Sequence, residues 1–322
     1  MSEFELIARH FASLTAARAD VVLSIGDDCA LVLPPSGQEV ALTSDTLVSG
    51  VHFLADCDPH DLGWKALAVN LSDLAAMAAK PTWFLLALTL PRADEAWLRA
   101  FSAGLGALSK EAGVQLVGGD TTRGPLAISI TACGLLPVGQ GVRRSGARPG
   151  DRLFVTGSPG EAAAGLALLR SRSRRRRDDA DGVHLLQRLQ RPTPRIEEGL
   201  ALRGLATACI DLSDGLAADL GHLCTASSVG ARLDGAALQG SAALRNVTGL
   251  AARDHLLFGG DDYELCFSVP PSHCAALQRL AAGWSCGVTE IGVVEAETGL
   301  RLERDGVVER LPPRGYDHFG SD

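Results

Sequence analysis

A chain of 322 residues, 46% hydrophobic and 21% charged, is long enough for two domains and too apolar to be disordered. Its formal charge of −8 and pI near 5.5 exclude a basic surface made for coating nucleic acid. No stretch reaches the roughly 18–20 apolar residues of a membrane helix, MSEFELIARHF lacks an apolar leader core, and eight scattered cysteines form no CxxC pair; the expected setting is cytoplasmic, with no membrane or nucleic-acid partner and no structural zinc.

In chain order, Phe4, Ile7 and Phe11 share a helical face. Val21 to Ile25 reads as a strand ended by Gly26-Asp27-Asp28, and Val40 to Thr43 as another ended by Ser44-Asp45. Asp61 to Ala79 predicts a helix capped by Asp61 and halted before Pro81, with Asn70 and Asp73 on one face. Phe84 to Leu90 is a strand, Asp94 to Ala112 a helix, Val114 to Val117 a strand running into Gly118-Gly119-Asp120, and Ala127 to Leu136 a further strand. The Gly-, Arg- and Pro-rich stretch around Gln140 to Asp151 reads as a connection, giving domains 1–138 and 151–322 joined by 139–150. Beyond it come a strand at Arg152–Thr156, helices near Glu161–Leu169, before Arg203 and at Gly215–Ser227, and strands at Ala206–Ile210, Leu265–Val269 and Ile291–Val294. Arg170 to Gly182, with its Arg174–Arg177 run, predicts a charged loop without regular structure. Alternating helices and strands in both halves indicate α/β or α+β domains.

Short aspartate segments punctuate this pattern: SIGDD (Asp27, Asp28), LTSDT (Asp45), NLSDL (Asp73), VGGDTTRG (Asp120), IDLSDG (Asp211, Asp214) and GGDDYE (Asp261, Asp262), with Asp56 and Asp58 a weaker pair. Against them stand only Lys65, Lys80 and Lys110. Carboxylates at strand ends beside glycines suit hard divalent cations, and magnesium needs only one or two carboxylates plus phosphate and water. Walker A, protein-kinase and GxSxG motifs are absent, so a bound nucleotide must rely on backbone amides, metal ions and arginines such as Arg123 and Arg144.

SIGDDCAL, TSDTLVSGVHF, GWKALAVNLSDLAAM, LVGGDTTRGPL, RSGARPGD, IDLSDGL, GGDDYELCF and terminal YDHF resemble, in order, the thiamine-monophosphate kinase family of the aminoimidazole ribonucleotide synthetase superfamily. The resemblance spans about Phe4 to Phe319. It implies an N-terminal α+β domain, a C-terminal three-layer α/β domain completing the active site, and a homodimer whose sheets join. It also implies ATP as co-substrate, several Mg2+ ions, and thiamine monophosphate as the acceptor converted to thiamine diphosphate. Carried residue by residue, the metal ligands are Asp28, Thr43, Ser44, Asp45, Asp73, Asp120, Asp211 and Asp214. The ATP contacts are Gly119, Asp120, Arg144 and Ser213, and the substrate contacts are His52, Asp261 and Tyr316. Where the family carries Glu, this chain has Asp261, one methylene shorter.

The chemistry needs no general base and no covalent residue. A phosphate monoester with a second pKa of about 6 is largely anionic at neutral pH, so the obstacle is bringing two polyanions together. The expectation is therefore direct in-line transfer. A non-catalytic sensor of the same fold would have lost its carboxylates, and a phosphohydrolase would release phosphate without ATP.

Overall fold

The computed structural model describes residues 3–171 and 178–316. The Arg174–Arg177 run and the Asp317-His318-Phe319 end of YDHF lie outside them. The chain divides into two compact units, Met1–Leu74 with Ala79–Gly141, and Ala75–Ala78 with Val142–Asp322.

The first unit contains α1 (Glu3–His10), β1 (Val21–Leu23), β2 (Leu31–Val32), β3 (Gln38–Val48), most of α2 (Pro59–Ala76), β4 (Lys80–Leu90), α3 (Glu95–Ala112), β5 (Gln115–Arg123) and β6 (Ala127–Pro137). Strands β1 and β2 pair by themselves, and the larger sheet runs β3-β6-β4-β5. Only β4 and β5 are parallel, because α3 carries the chain back between them. Asp94 caps α3 by accepting from Ala96 and Trp97 N–H at 3.1 and 3.2 Å, and Gly113 ends it at φ 66°. Helix α2 starts two residues before the expected cap. Asp58 takes the His60 N–H at 2.8 Å and Pro59 opens the first turn, leaving Asp61 inside.

Even-numbered residues of β4 (Phe84, Leu86, Leu88) and Ile128 and Ile130 of β6 are buried, as are Leu67, Leu71 and Leu74 of α2 and Phe101 and Leu105 of α3. A Cβ on Gly63 of α2 would overlap the Phe101 carbonyl, and one on Gly104 of α3 would overlap that of His60. The two helices therefore meet backbone to backbone. On the opposite sheet face Leu42, Ser44, Thr46, Leu85 and Ala87 are exposed, and the hydroxyls pair across strands: Ser44 with Thr131 at 3.0 Å, Thr46 with Ser129 at 2.7 Å. One end of that face is closed by Trp83, Val117 and Leu135 packed with Val21 and Ala30.

Two expected strand ends lie inside strands. Strand β3 continues through Ser44-Asp45 to Val48, paired with β6 without a break from Gln38↔Pro137 to Val48↔Ala127. Strand β5 continues through Gly118-Gly119-Asp120 to Arg123 against β4. Threonine-rich stretches with a partner along their whole length stay extended whatever polar residue they contain.

The second unit contains β7 (Arg152–Thr156), α4 (Glu161–Arg170), α5 (Ala180–Gln190), α6 (Ile196–Ala201), β8 (Ala208–Asp211), α7 (Leu216–Ser227), β9 (Gly230–Asp234), α8 (Ala242–Thr248), α9 (Ala252–Phe258), β10 (Leu265–Val269), α10 (Cys274–Ala281), β11 (Val288–Glu295), β12 (Gly299–Arg304) and β13 (Val307–Leu311). Its sheet runs β13-β12-β9-β11-β7-β10-β8, antiparallel except for β9 with β12. Alternate strand residues feed two cores. Leu153, Val155, Ile210 and Cys266 pack with Leu168, Leu185, Leu216 and Leu244, while Phe154, Cys209 and Phe267 pack with Leu202 and Leu277. Helices therefore cover both faces, the three-layer α/β arrangement, whereas the first unit is of α+β type. The segment expected to be irregular up to Gly182 already enters α5 at Ala180, where Asp179 caps by accepting the Gly182 N–H at 2.7 Å. Among the described residues no helix is long and apolar enough to cross a membrane. All eight cysteines are free thiols.

Candidate functional site

In the first unit, period-2 alternation turns Thr43 and Asp45 of β3 to one face and Ser44 and Thr46 to the other. The inward pair meets α2. The Thr43 hydroxyl donates to the Asp73 carboxylate, and the Asp45 N–H donates to Asn70 Oδ1 at 3.2 Å. Asn70 is fully buried, and its amide donates to the Ala66 carbonyl at 3.2 Å, so it anchors backbone. Burial first, and the neighbouring Asp73 charge second, push the Asp45 carboxyl up to about 6.

His52 lies in the turn after β3, where its Nδ1 accepts the Val48 N–H at 3.0 Å. That bond places the ring proton on Nε2, leaving the neutral imidazole a donor at that atom. Asp27 and Asp28 occupy the exposed turn between β1 and β2, with the Asp28 N–H donating to Asp27 Oδ1 at 2.8 Å.

Asp45, Ile130, Leu86 and Gly119 form one row across the sheet. Three strand spacings, about 14 Å, therefore separate Asp45 from the GGD segment. Asp120 belongs to the next row, with Ala87, Ser129 and Thr46, and is exposed on the face opposite Asp45. Gly119 is required where it stands: at φ 149° its backbone lies against the Leu86 carbonyl, and a Cβ would overlap that oxygen.

In the second unit, β8 ends on the buried Asp211, and Leu212 to Gly215 lead into α7. Asp219, in the first turn of α7, accepts the Asp214 and Gly215 N–H groups at 3.0 and 3.1 Å. Burial, then the charges of Asp211 and Asp214, push the Asp219 carboxyl up to about 8. The GGDDYE segment lies alongside: Asp261 N–H donates to Ser213 O, and Tyr263 N–H to Leu212 O, each at 2.8 Å. Tyr316 N–H donates to Asp214 O at 3.1 Å. Asp211, Ser213, Asp214, Asp261 and Tyr316 thus gather at the N-terminus of α7, where Asp219 already takes the Asp214 and Gly215 N–H groups and the carboxylates suit a hard cation.

The Arg144 backbone is not with them. Ser227 Oγ, at the far end of the twelve-residue α7, donates to the Arg144 carbonyl at 3.1 Å and accepts from Gly146 N–H at 3.1 Å. The Arg144 backbone is thus about one helix length, about 18 Å, from the start of α7. Nor does the Ser44 hydroxyl join Asp45 and Asp73. Among the described residues no three His, Cys, Asp or Glu side chains converge closely enough to hold a metal by themselves. Asp219 and Tyr263 escaped the sequence reading. An acidic residue four positions beyond Gly215 was the available sign of the first.

Residues 26–136 match the family described as AIR synthase related protein, N-terminal domain, and residues 148–305 its C-terminal domain. The chain is 51% identical over 321 residues to the thiamine-monophosphate kinase of Salmonella typhimurium, covering 99% of this chain and 98% of that relative. The crystal structure of thiamine-monophosphate kinase from Stenotrophomonas maltophilia K279a is 45% identical with a TM-score of 0.84, covering 94% and 95% of the two chains. The structure of AaThiL complexed with AMPPCP and TMP is 34% identical with a TM-score of 0.78, covering 92% of each.

Proposed function

The chain belongs to the thiamine-monophosphate kinase family, and on that premise we propose that it transfers the terminal phosphoryl group of ATP to thiamine monophosphate, giving thiamine diphosphate. The observation that carries this is the 51% identity to a kinase of that name over 99% of the chain. It is supported by AaThiL, whose bound AMPPCP and TMP are an ATP analogue and the acceptor.

The donor set fits Mg2+. Burial, then the Asp73 charge, push the Asp45 carboxyl up to about 6, so a cation between the two carboxylates would be favoured, and hard oxygen ligands suit this ion, which takes one or two carboxylates and fills its shell with phosphate and water. We assign Thr43, Asp45 and Asp73 to it in the first unit and Asp211 and Asp214 in the second. The exposed Asp28 and Asp120 are assigned to ions arriving with the nucleotide. Bound magnesium would supply neutralisation of the two phosphate groups and of transition-state charge. Ser213 and Gly119 are ATP contacts, and Arg144 serves a more distant part of the nucleotide. His52 presents its Nε2–H to the acceptor phosphate, and Asp261 and Tyr316 contact the thiamine portion. The acceptor oxygen is already anionic, so transfer is direct and in-line with no phosphoenzyme.

The open face of the first sheet, with Leu42 69% and Leu85 41% exposed, favours a homodimer formed on it. Eight free thiols fit a reducing cytoplasm. The deciding experiment incubates purified protein with ATP, Mg2+ and thiamine monophosphate and separates the products. Thiamine diphosphate is expected, with inversion at a chiral γ-phosphorus. Its absence, or a phosphorylated residue on the pathway, overturns the corresponding part of the proposal.

A further inference from the structure

Asp261 and Tyr263 both hold left-handed backbone conformations, at φ 70° and 52°. Side chains rarely accept that region, and two such residues in one short loop persist only where the surroundings over-determine them. Here they do. The residues between and after point to anchors on the other side. Asp262, 1% exposed, accepts from Gly160 and Ala162 N–H at the start of α4, at 2.6 and 3.2 Å. Glu264, with no exposed surface, accepts from Arg195 Nε and Nη2 at 2.7 and 2.5 Å, from Arg188 Nη2 at 2.6 Å and from Thr156 Oγ1 at 2.6 Å. The Leu212 N–H closes the ladder on the Glu264 carbonyl at 2.8 Å.

What this clamp presents is a short carboxylate. Asp261 has χ1 and χ2 alone, so its reach is set by backbone placement, and χ2, a broad torsion, decides where its oxygens aim. The hydroxyl of Tyr263, a residue only 8% exposed, donates to Asp261 Oδ1 at 3.0 Å. We infer that Tyr263 is a positioning residue for the acceptor, fixing through this hydrogen bond the direction in which Asp261 meets the thiamine portion. The inference rests on the assignment of Asp261 as a substrate contact and adds what aims it.

The test is a double-mutant cycle on the full-length protein, reading KM for thiamine monophosphate, KM for ATP, kcat and melting temperature. Tyr263→Phe keeps the ring and is expected to raise KM for thiamine monophosphate about tenfold, with kcat and the ATP KM within about twofold. Added to Asp261→Ala, which removes the oxygens that accept the Tyr263 hydroxyl, it is expected to change nothing further, because its effect passes through Asp261. In Asp261→Glu, whose longer side chain supplies its own reach, the effect of Tyr263→Phe shrinks below about twofold. Multiplying effects in the double variant, or an unchanged KM in Tyr263→Phe, overturn the inference. If Asp261→Ala raises KM while Tyr263→Phe does not, only the role of Tyr263 falls. If Asp261→Ala itself leaves KM unchanged, the substrate-contact assignment falls and takes the inference with it.

Discussion

The Thr43 hydroxyl donates to the Asp73 carboxylate, tying the middle of β3 to the last turn of α2. One strand residue thereby sets which way a helix-borne carboxylate faces, and Asp45, two residues along the same strand face, is brought beside it. The proposed magnesium ligands of the first unit owe their proximity to this strand–helix bond rather than to a loop.

Replacing Asp73 with Asn removes the charge but keeps an oxygen for the Thr43 hydroxyl. Turnover is expected to fall at least about a hundredfold while the melting temperature moves by only a few degrees. Steady-state kinetics at saturating Mg2+ and calorimetry check the two halves. Unimpaired turnover would remove Asp73 from the ligand set.

The pH dependence of stability has a definite sign. The Asp45 carboxyl sits at about 6 in the folded protein against an ordinary 3.8. Between those values the folded state holds the proton more tightly, so this contribution is complete below the lower value and lost as pH rises through the upper one. In chelator, wild-type protein is expected to lose ~1–3 kcal/mol from this group over that interval. Asp45→Asn, measured by urea unfolding in parallel, should flatten that part of the curve.

Alanine at Gly119 places a methyl group against the Leu86 carbonyl where two strands are in register. Backbone cannot rotate away, so a loss of ~3 kcal/mol or more is expected. Chemical denaturation measures it, and a neutral substitution would mean the β4–β5 register is looser than drawn.

Arg195→Met leaves Glu264 without its two-pronged partner in a place with no exposed surface. The expected cost is ~3–5 kcal/mol. Arg195→Lys should recover less than half of it, because an ammonium cannot replace the fork of bonds to both oxygens. Unfolding curves for both variants decide this.

The dimer proposal is checked by light scattering. Wild-type protein should show twice 33.6 kDa, and Leu42→Glu with Leu85→Glu should show a single chain with near-native circular dichroism. A dimer surviving both changes would place the interface elsewhere.

Much of this was legible in residue order, because period and punctuation report local geometry. Asp94 and Gly113 frame α3 as capping chemistry dictates, and Asn70 and Asp73 share a face because helical spacing requires it. What escaped depends on pairing between distant segments. A Ser-Asp or Gly-Gly-Asp step looks like the end of a strand until a partner such as β6 or β4 runs alongside it. Which side of a strand faces a helix is equally non-local: the resemblance puts Ser44 with Thr43 and Asp45, and alternation turns its hydroxyl to the other face. The roles of Asp219 and Tyr263 arise from backbone amides and a carboxylate brought close only by folding of the 211–219 and 259–264 segments.

The meeting of Gly63 and Gly104 is made of atoms common to every amino acid. Substitution at either position can only add matter to it; nothing can be trimmed to compensate. While the rest of the first core is free to exchange one apolar shape for another, this crossing is a fixed datum. Ten residues farther along α2, about 15 Å by helical rise, stands Asp73. The height at which its carboxylate meets β3 is measured from a point that sequence drift cannot move.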